Sequence, residues 1–473
     1  MGIKTNKTLK SAVWYTASNV LAKAITLLIT PVFTRLLSKA EYGEYTNFVS
    51  WQNILLTIFS LELSATVLRA KFDRENEGEF ESYVFTISWF SIIVTVVLSL
   101  LLCILNTNVW IKNIIGIDQK YIWLLCLIIV FSPILQIYQA QQRAEIKYKT
   151  SSIVTIAYGM FSFIIPYVLV RISQNGLHAL LHGLAMNVMI WGLVILIYIS
   201  SRKRGRVHLE DIKYALMFSL PIIPHLVSSI IMGNSDKIMI KNMSGPEFAA
   251  MYGLVYTCAL AINLLRNSLN NAWIPWFYRK MNDKDYASIR HVSKVYIVLF
   301  SVGSLLVCLL GPEIVWVLGG NQYKEALLLV PIIMLGCYYN FLNLFYVNIE
   351  FYAKKTSMIS VVTVGTAGLN LALNYIFISK YGYSAAAYTT AFCNFCIIIF
   401  HYVVTKKMMN SEICDNKMIF ISSGISLAVV FFCIILYKVF VMRLIVFLCV
   451  ALFTIVYLRS VKKKGILGKG GIK

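Results

Sequence analysis

Ser38-Lys39-Ala40-Glu41-Tyr42 returns 206 residues later as Ser244-Gly245-Pro246-Glu247-Phe248. The same offset relates two further pairs of segments, 149–151 with 355–357 and 172–179 with 378–385. Three matches at one offset, without a change of register, indicate that the chain is built from two related halves. Duplicated halves around a central site are typical of transporters.

The composition around these segments is that of a membrane protein. The 473 residues are 59% hydrophobic and 14% charged, and the mean hydropathy is +0.72. These values exclude a soluble globular protein. Fourteen apolar stretches are long enough to cross a bilayer, which takes about 20 residues. They lie at 11–34, 42–66, 83–105, 121–140, 151–171, 178–200, 214–235, 249–273, 292–311, 326–349, 357–378, 384–404, 417–437 and 443–459.

We therefore predict an all-α polytopic membrane protein with about fourteen transmembrane helices. The repeat divides them into an N-terminal six-helix lobe at 1–206 and a C-terminal six-helix lobe at 207–412. Two additional helices and a basic tail at 413–473 follow.

The basic residues predict the orientation in the membrane. Most of the lysines and arginines fall in alternate connections, with clusters at 202–206 and 462–464. Because cytoplasmic loops carry the excess of basic residues, we predict a multi-pass protein of the cytoplasmic membrane with both termini inside. The net charge of +22 is explained by this asymmetry rather than by nucleic-acid binding.

The motifs of membrane enzymes are not found. The sequence has no P-loop, no HExxH, no GxSxG and no long external loop for acid and base groups. Cys393-x-x-Cys396 lies within a predicted span, and His178 and His182 have no carboxylate or cysteine nearby in sequence. We therefore assign no catalytic residue, no metal site and no cofactor.

Polar side chains recur at helical spacing in four predicted spans, and these are the candidate site residues. They are Asn19 and Lys23 in the first span, Asn53 in the second, Pro221, Pro224 and His225 in the seventh, and Asn263, Arg266, Asn267 and Asn270 in the eighth. Four such faces, two from each half, can enclose a hydrophilic cavity. Polar stripes also serve as glue between membrane helices, at about 0.6 kcal/mol per contact, and this alternative stays open.

The sign of the deep charges indicates the cargo. Lys23 lies near the middle of its span, and Arg266 is expected closer to the cytoplasmic end of its own, where Glu62 is a candidate ion-pair partner at the cavity mouth. Basic residues far from helix ends are functional by default, because they cost several kcal/mol without water or a partner. Acidic residues such as Asp236 and Glu350 are expected only towards span ends. A cavity of this kind prefers an anion, and a diphosphate suits Lys and Arg.

Three segments resemble a known family. They are Arg35-Leu36-Leu37-Ser38-x-x-Glu41-Tyr42-Gly43, Leu220-Pro221-x-x-Pro224-His225 and Asn271-Ala272-Trp273-x-Pro275-Trp276. Together with Asn19-x-x-x-Lys23 they resemble the polysaccharide-export flippases, the O-antigen or repeat-unit translocases of Wzx type, in the MATE-like MOP superfamily. The resemblance covers essentially the whole chain.

The resemblance implies a V-shaped pair of six-helix lobes with the last two spans at the side. The implied substrate is an undecaprenyl-diphosphate-linked oligosaccharide, flipped for O-antigen or capsule synthesis. In the related lipid II flippases, cationic side chains in the cavity are important, and the first two helices of each lobe line that cavity. Lys23 and Arg266 fall on such helices here. Membrane lipids and other polysaccharide assembly proteins are the further partners implied.

The expected mechanism is alternating access, with Pro221 and Pro224 as a hinge or as a static kink in the seventh span. No deep carboxylate identifies a coupling proton or sodium ion. Two alternatives stay open: an ion-coupled drug or small-molecule antiporter of the same superfamily, and a membrane glycan polymerase. A polymerase should have a long external loop with catalytic groups, which this sequence lacks.

Overall fold

The computed structural model describes residues 14, 18, 21, 24–25, 27, 29–74, 76–202, 207–409 and 413–463. Helices joined by turns and short irregular connections make up this part of the chain, with no strand among the described residues, which confirms the all-α prediction. Residues 29–36 are helical. The helices that follow are α1 (Lys39–Phe59), α2 (Val67–Asp73), α3 (Glu77–Leu105), α4 (Val109–Ile115), α5 (Gln119–Ala144), α6 (Tyr148–Ile172), α7 (Gly176–Arg202), α8 (Leu209–Ser219), α9 (Ile223–Ser244), α10 (Pro246–Asn282), α11 (Tyr286–Leu309), α12 (Gly311–Gly319), α13 (Leu329–Tyr352), α14 (Thr356–Tyr381), α15 (Ala385–Met408), α16 (Asn416–Leu436) and α17 (Phe440–Lys463).

The number of membrane spans agrees with the prediction as far as the structure describes the chain. Among the described residues, 12 helical segments are long and apolar enough to cross a membrane, and α1 with the bent segment after it makes 13. Each of the thirteen spans predicted after the first coincides with one of these segments. The first predicted span, 11–34, falls largely outside the described residues.

The Ser38-x-x-Glu41 segment is a capping box that starts α1. The Ser38 backbone N–H donates to Glu41 Oε2 at 2.9 Å, and the Glu41 N–H donates back to Ser38 Oγ at 3.2 Å. These bonds satisfy donors that a helix start leaves unpaired. Glu41 also accepts the Leu177 N–H at 3.2 Å, which ties the start of α1 to the start of α7. The most specific piece of the family resemblance therefore has a structural role.

The second span is broken at its far end. Leu61 and Glu62 both have φ of 49°, a left-handed conformation that favours glycine, and a short 3₁₀ turn at Leu63–Thr66 follows. The axis bends by 51° between Lys39–Phe59 and Leu63–Asp73. Glu62 thus lies, half-buried, at the corner of this span rather than along a straight helix.

The chain forms two compact units, the first ending at Ala250 and the second beginning at Met251. In the first unit α5 is a central helix, and in the second α13 is, because 67% of the most apolar window of each is buried. In α17 that share is 6%, so this helix presents most of its surface to lipid. The predicted lobe boundary at 206 concerns the duplication and stays a prediction.

The seventh span consists of α8, a 3₁₀ turn at Leu220–Ile222 and α9. The helix α9 continues to Ser244, nine residues past the predicted end of this span at residue 235. Asp236 consequently lies inside the helix, and it is fully buried.

Buried polar pairs hold the helices of the second unit together. Glu350 of α13 and His401 of α15 are 0% and 1% exposed, and Glu350 Oε1 lies 2.7 Å from His401 Nδ1. Asn370 of α14 donates to Thr390 of α15 at 2.9 Å. Pairing of this kind offsets the cost of burying polar groups.

Two carboxylates cap helices of the second unit at connections between spans. Asp285 accepts the Ser288 N–H at 3.1 Å at the start of α11, and Asp415 accepts the Met418 N–H at 2.9 Å at the start of α16. The hydrogen bond from Lys280, together with those from Ser288, lowers the pKa of Asp285 to about 2. The hydrogen bond from Lys294 lowers the pKa of Asp415 as well, so both carboxylates stay charged at neutral pH.

Candidate functional site

Arg266 lies near the middle of α10, which runs for 37 residues. It is 20 residues after Pro246 and 16 residues before Asn282, so about 24 Å of helix separates it from the nearer end. The expectation that Arg266 lies closer to the cytoplasmic end of its span stays a prediction, because a 37-residue helix is about 55 Å long and exceeds the bilayer core of about 30 Å. That expectation ended the span at Trp273, whereas the helix continues through Pro275. The end of the helix therefore does not determine how deep Arg266 lies in the membrane.

The guanidinium of Arg266 has donors to spare. Its Nη2 lies 3.5 Å from Asn267 Oδ1, and its Nε is buried without a hydrogen-bond partner in the part of the chain that the structure describes. An arginine carries five N–H donors in a planar fork and no acceptor. The half-buried Arg266 therefore keeps the capacity to bind an anion.

The asparagines of α10 differ in their surroundings. Asn263 and Asn270 are half-buried, and Asn267 is exposed. Asn270 Oδ1 accepts a hydrogen bond at 2.9 Å from Asn348 Nδ2 of α13. Sequence reasoning missed Asn348, which is 78 residues away along the chain and almost fully buried.

The motif after this polar face is a packing cluster. Trp273 is 2% exposed, and its ring centroid lies 5.2–5.5 Å from those of Trp276, Phe277, Tyr296 and Phe345. Aromatic pairs at such distances stabilise a core beyond their buried area. The cluster packs the part of α10 between Arg266 and Asn282 against its neighbours.

In the first unit, the polar stripe of α1 is turned inward. Asn47 and Ser50 are 0% exposed and Thr57 is 7% exposed. Asn53 is half-buried, and its Nδ2 donates to Asn234 Oδ1 of α9 at 3.3 Å. The structure thus brings Asn53 together with a residue of the seventh span, whereas most of the stripe serves packing.

The candidate hinge residues lie at the junction of α8 and α9. Pro221 is within the 3₁₀ turn and Pro224 is in the first turn of α9, and both side chains are exposed. His225, next to Pro224, is half-buried. Because proline lacks a backbone N–H, the ladder of helix hydrogen bonds is interrupted here. Movement about this point stays a prediction.

Three further predictions from the sequence are not tested by these contacts. Lys23 and Asn19 lie outside the described residues. Glu62 lies in the first compact unit and Arg266 in the second. The pairing of Glu62 with Arg266 stays a prediction.

A helical protein with 12, or up to 13, candidate membrane spans among its described residues belongs to the class of polytopic membrane proteins. A family described as polysaccharide biosynthesis protein matches residues 8–281, more than half of the chain. The chain therefore belongs to the polysaccharide biosynthesis protein family.

Individual relatives are consistent with this family. The chain is 22% identical over 380 residues to Lsg locus putative protein 1 of Haemophilus influenzae, covering 76% of this chain and 88% of that protein. It is 20% identical over 401 residues to capsular polysaccharide biosynthesis protein CapF of Staphylococcus aureus, covering 83% and 97%.

Solved structures share the fold. The lipid II flippase MurJ in an inward closed conformation superimposes with a TM-score of 0.73 at 14% identity, covering 95% of this chain and 99% of MurJ. An inward-facing multidrug resistance MATE transporter of the MOP superfamily gives a TM-score of 0.62 at 10% identity, covering 82% and 94%. The predicted MATE-like fold is confirmed. The predicted resemblance to proteins of polysaccharide biosynthesis agrees with the family match.

Proposed function

We propose that this protein flips lipid-linked oligosaccharide units across the cytoplasmic membrane for the assembly of a surface polysaccharide. Membership of the polysaccharide biosynthesis protein family supports a role with glycans. The fold shared with a lipid II flippase supports translocation of a lipid-linked cargo. The cargo we propose is an undecaprenyl-diphosphate-linked oligosaccharide, destined for O-antigen or capsule.

The observation that carries this proposal is Arg266. A guanidinium at mid-helix, with a buried Nε that has no hydrogen-bond partner in the described part of the chain, is suited to the oxygens of a diphosphate. Asn263, Asn267 and Asn270 lie on the same face of α10 and offer both donors and acceptors for sugar hydroxyls. Asn53, His225, Lys23 and Asn19 complete the proposed binding surface.

The mechanism we propose is alternating access. The charged, hydroxyl-rich head follows a hydrophilic path, because its burial in hydrocarbon without partners is prohibitive, while the polyprenyl tail stays in lipid. The break between α8 and α9 supports bending of the seventh span during the switch. We expect Pro221→Ala to lower export at an unchanged protein level. Normal export by this variant would leave the break as a static kink.

The orientation is part of the proposal. Both termini are placed in the cytoplasm, which puts the connections containing α4 and α12 on the outer side. The basic clusters near Arg202 and after Arg459 support this assignment through the positive-inside rule. The mouth ion pair between Glu62 and Arg266 and the lobe boundary at 206 belong to the same proposal.

The first experiment is deletion of the gene in a strain without a second flippase. Polyprenyl-diphosphate oligosaccharides are quantified by mass spectrometry alongside surface polysaccharide. We expect completed units to accumulate on the cytoplasmic face while surface polysaccharide is lost. Unchanged intermediates and intact surface polysaccharide would contradict the flippase and favour an ion-coupled antiporter of the same superfamily.

A further inference from the structure

We propose that a polar latch, formed by Glu44 and Asn47 of α1, the carbonyls of residues 113–116 and Lys241 and Asn242 of α9, closes the outer exit. In this proposal the latch opens each time cargo is released. The inference rests on the proposed alternating access. It assigns a positioning role to residues outside the proposed binding surface.

Lys241 is the centre of the latch because it contacts two other elements. Its Nζ lies 3.2 Å from Glu44 Oε1 of α1 and donates to the carbonyl oxygen of Gly116. The side chains of Lys241 and Glu44 are 15% and 34% exposed. One ammonium group thus joins α9, α1 and the residue after α4.

Two amides extend the latch over the end of α4. Asn242 Nδ2 donates to the carbonyls of Ile114 at 2.7 Å and Asn113 at 3.3 Å. Asn47 Nδ2 donates to the carbonyls of Ile115 at 3.2 Å and Gly116 at 3.1 Å. The last carbonyls of a helix have no partner within that helix. Here four consecutive carbonyls are bound by side chains of two different long helices.

Two glycines permit this close arrangement. Gly116 has φ of +60°, and a Cβ at this position would lie 2.2 Å from Asn242 Oδ1. A Cβ on Gly43, next to Glu44, would lie 1.7 Å from the carbonyl oxygen of Pro246. The backbones of α1 and the start of α10 therefore meet directly beside the ion pair, a spacing that only glycine allows.

The predicted repeat places the two sides of this contact, α1 and α9, in lobes that move relative to each other in the proposed mechanism. The predicted duplication assigns α1 to the N-terminal lobe and α9 to the C-terminal lobe, although both helices pack within the first compact unit. Relative motion of the lobes must then separate α1 from α9. The latch is suited to opening because its partly exposed ion pair and the exposed amide of Asn242 exchange their bonds for bonds to water at a small net cost.

The test measures opening directly, without reference to cargo. All ten native cysteines are replaced, and Asn234, which is 8% exposed on α9 beside Asn53, is changed to cysteine as the reporter. A membrane-impermeant maleimide is added to right-side-out and to inside-out vesicles. We compare Lys241→Gln with Lys120→Gln, a matched control whose ion pair joins Lys120 only to Asp118, two residues away.

We expect Lys241→Gln to raise labelling in right-side-out vesicles by about fivefold, the change expected for loss of one such pair. Lys120→Gln should leave labelling unchanged. Equal labelling of both variants, or a rise confined to inside-out vesicles, would overturn the latch at the outer exit.

A covalent version of the latch provides the second measurement. Glu44→Cys and Lys241→Cys are combined and joined with a flexible bis-methanethiosulfonate, and export is followed before and after reduction. We expect cross-linking to stop export and reduction to restore it, while the single-cysteine variants are unaffected by the reagent. Export that continues through a cross-linked latch would overturn the proposal. The gene deletion tests the flippase function separately, and the labelling assay reports on the latch whatever the cargo is.

Discussion

The polar stripes of α1 and α10 have similar spacing in sequence, yet the two helices use them differently. On α1, Asn47, Ser50 and Thr57 are at most 7% exposed, and each donates to a backbone carbonyl. On α10, Asn267 is exposed, and Arg266 has only a 3.5 Å contact with it among the hydrogen bonds of the described residues. Most of the stripe of α1 serves helix packing, whereas the stripe of α10 keeps donors available.

The difference follows from the number of donors on each side chain. A serine or threonine hydroxyl returns its one hydrogen to a carbonyl of its own helix, so it is buried at little cost. Asparagine and arginine carry more donors than their own helix accepts. A stripe rich in asparagine and arginine is therefore the better indicator of a binding surface. The following variants separate these two uses.

The largest expected effect is that of Arg266→Ala. Loss of charge-assisted bonds to a diphosphate should lower export per protein molecule by about 10- to 100-fold. The measurement is surface polysaccharide together with lipid-linked intermediates, normalised to protein level. Arg266→Lys should retain part of the activity, because the charge is kept while the fork is lost.

Arg279→Ala is the matched control for that variant. Arg279 is exposed on the same helix, and its Nε donates to the Pro275 carbonyl at 3.4 Å. Its replacement should leave export unchanged. Full export by Arg266→Ala at a normal protein level would show that this residue is not part of the binding surface. The polar stripe of α10 would then serve helix packing, as most of the stripe of α1 does.

Asn47→Ala should have the largest effect on stability. It removes the donor for the carbonyls of Ile115 and Gly116 in a site that is 0% exposed. Leaving such groups unpaired costs about 1–3 kcal/mol. We expect a lower melting temperature in detergent, whereas Arg266→Ala, which removes a buried donor without a partner in the described part of the chain, should not lower it. A larger loss of melting temperature in Arg266→Ala than in Asn47→Ala would contradict the comparison between the two helices.

Asn270 lies between these cases, because its Oδ1 already accepts a hydrogen bond from Asn348 while its amide N–H donors remain for other partners. A double-mutant cycle of Asn270→Ala and Asn348→Ala should give a coupling of about 0.6 kcal/mol in stability, the value typical of hydrogen bonds between membrane helices. Thermal unfolding of the two single variants and the double variant measures this coupling. A coupling near zero would indicate that Asn270 is held by α10 alone and that its amide is fully available to cargo.

Much of the fold was predictable because hydropathy depends on local composition. The spans from 42–66 onward each correspond to a span of the structure. The full lengths of two helices were not predicted. The predicted seventh and eighth spans end at residues 235 and 273, although α9 and α10 continue to Ser244 and Asn282. Burial and packing decide whether a helix continues past such residues, and these are properties of the folded chain.

The candidate site was predictable only in part. Arg266 is visible in sequence as a cation inside an apolar stretch, but the length of α10 beyond Trp273 was not predicted. Its neighbours are less visible, since Asn348 is 78 residues from Asn270 and His401 is 51 residues from Glu350. Such pairs arise from helix packing and leave no local pattern. Lys241 had a weak signal, because it stands at the repeat offset from Arg35.

The smallest expected effect is that of Ser50→Ala on α1. The Ser50 hydroxyl donates to the Thr46 carbonyl of its own helix at 2.8 Å, and that carbonyl keeps its helix hydrogen bond when the hydroxyl is removed. Alanine also has the higher helix propensity, so the change in stability should stay below about 0.5 kcal/mol. Thermal unfolding beside Asn47→Ala, one turn away, measures it. If Ser50→Ala lowered the melting temperature as much as Asn47→Ala, donor number would not explain why the stripe of α1 is buried, and the distinction from α10 would need another physical basis.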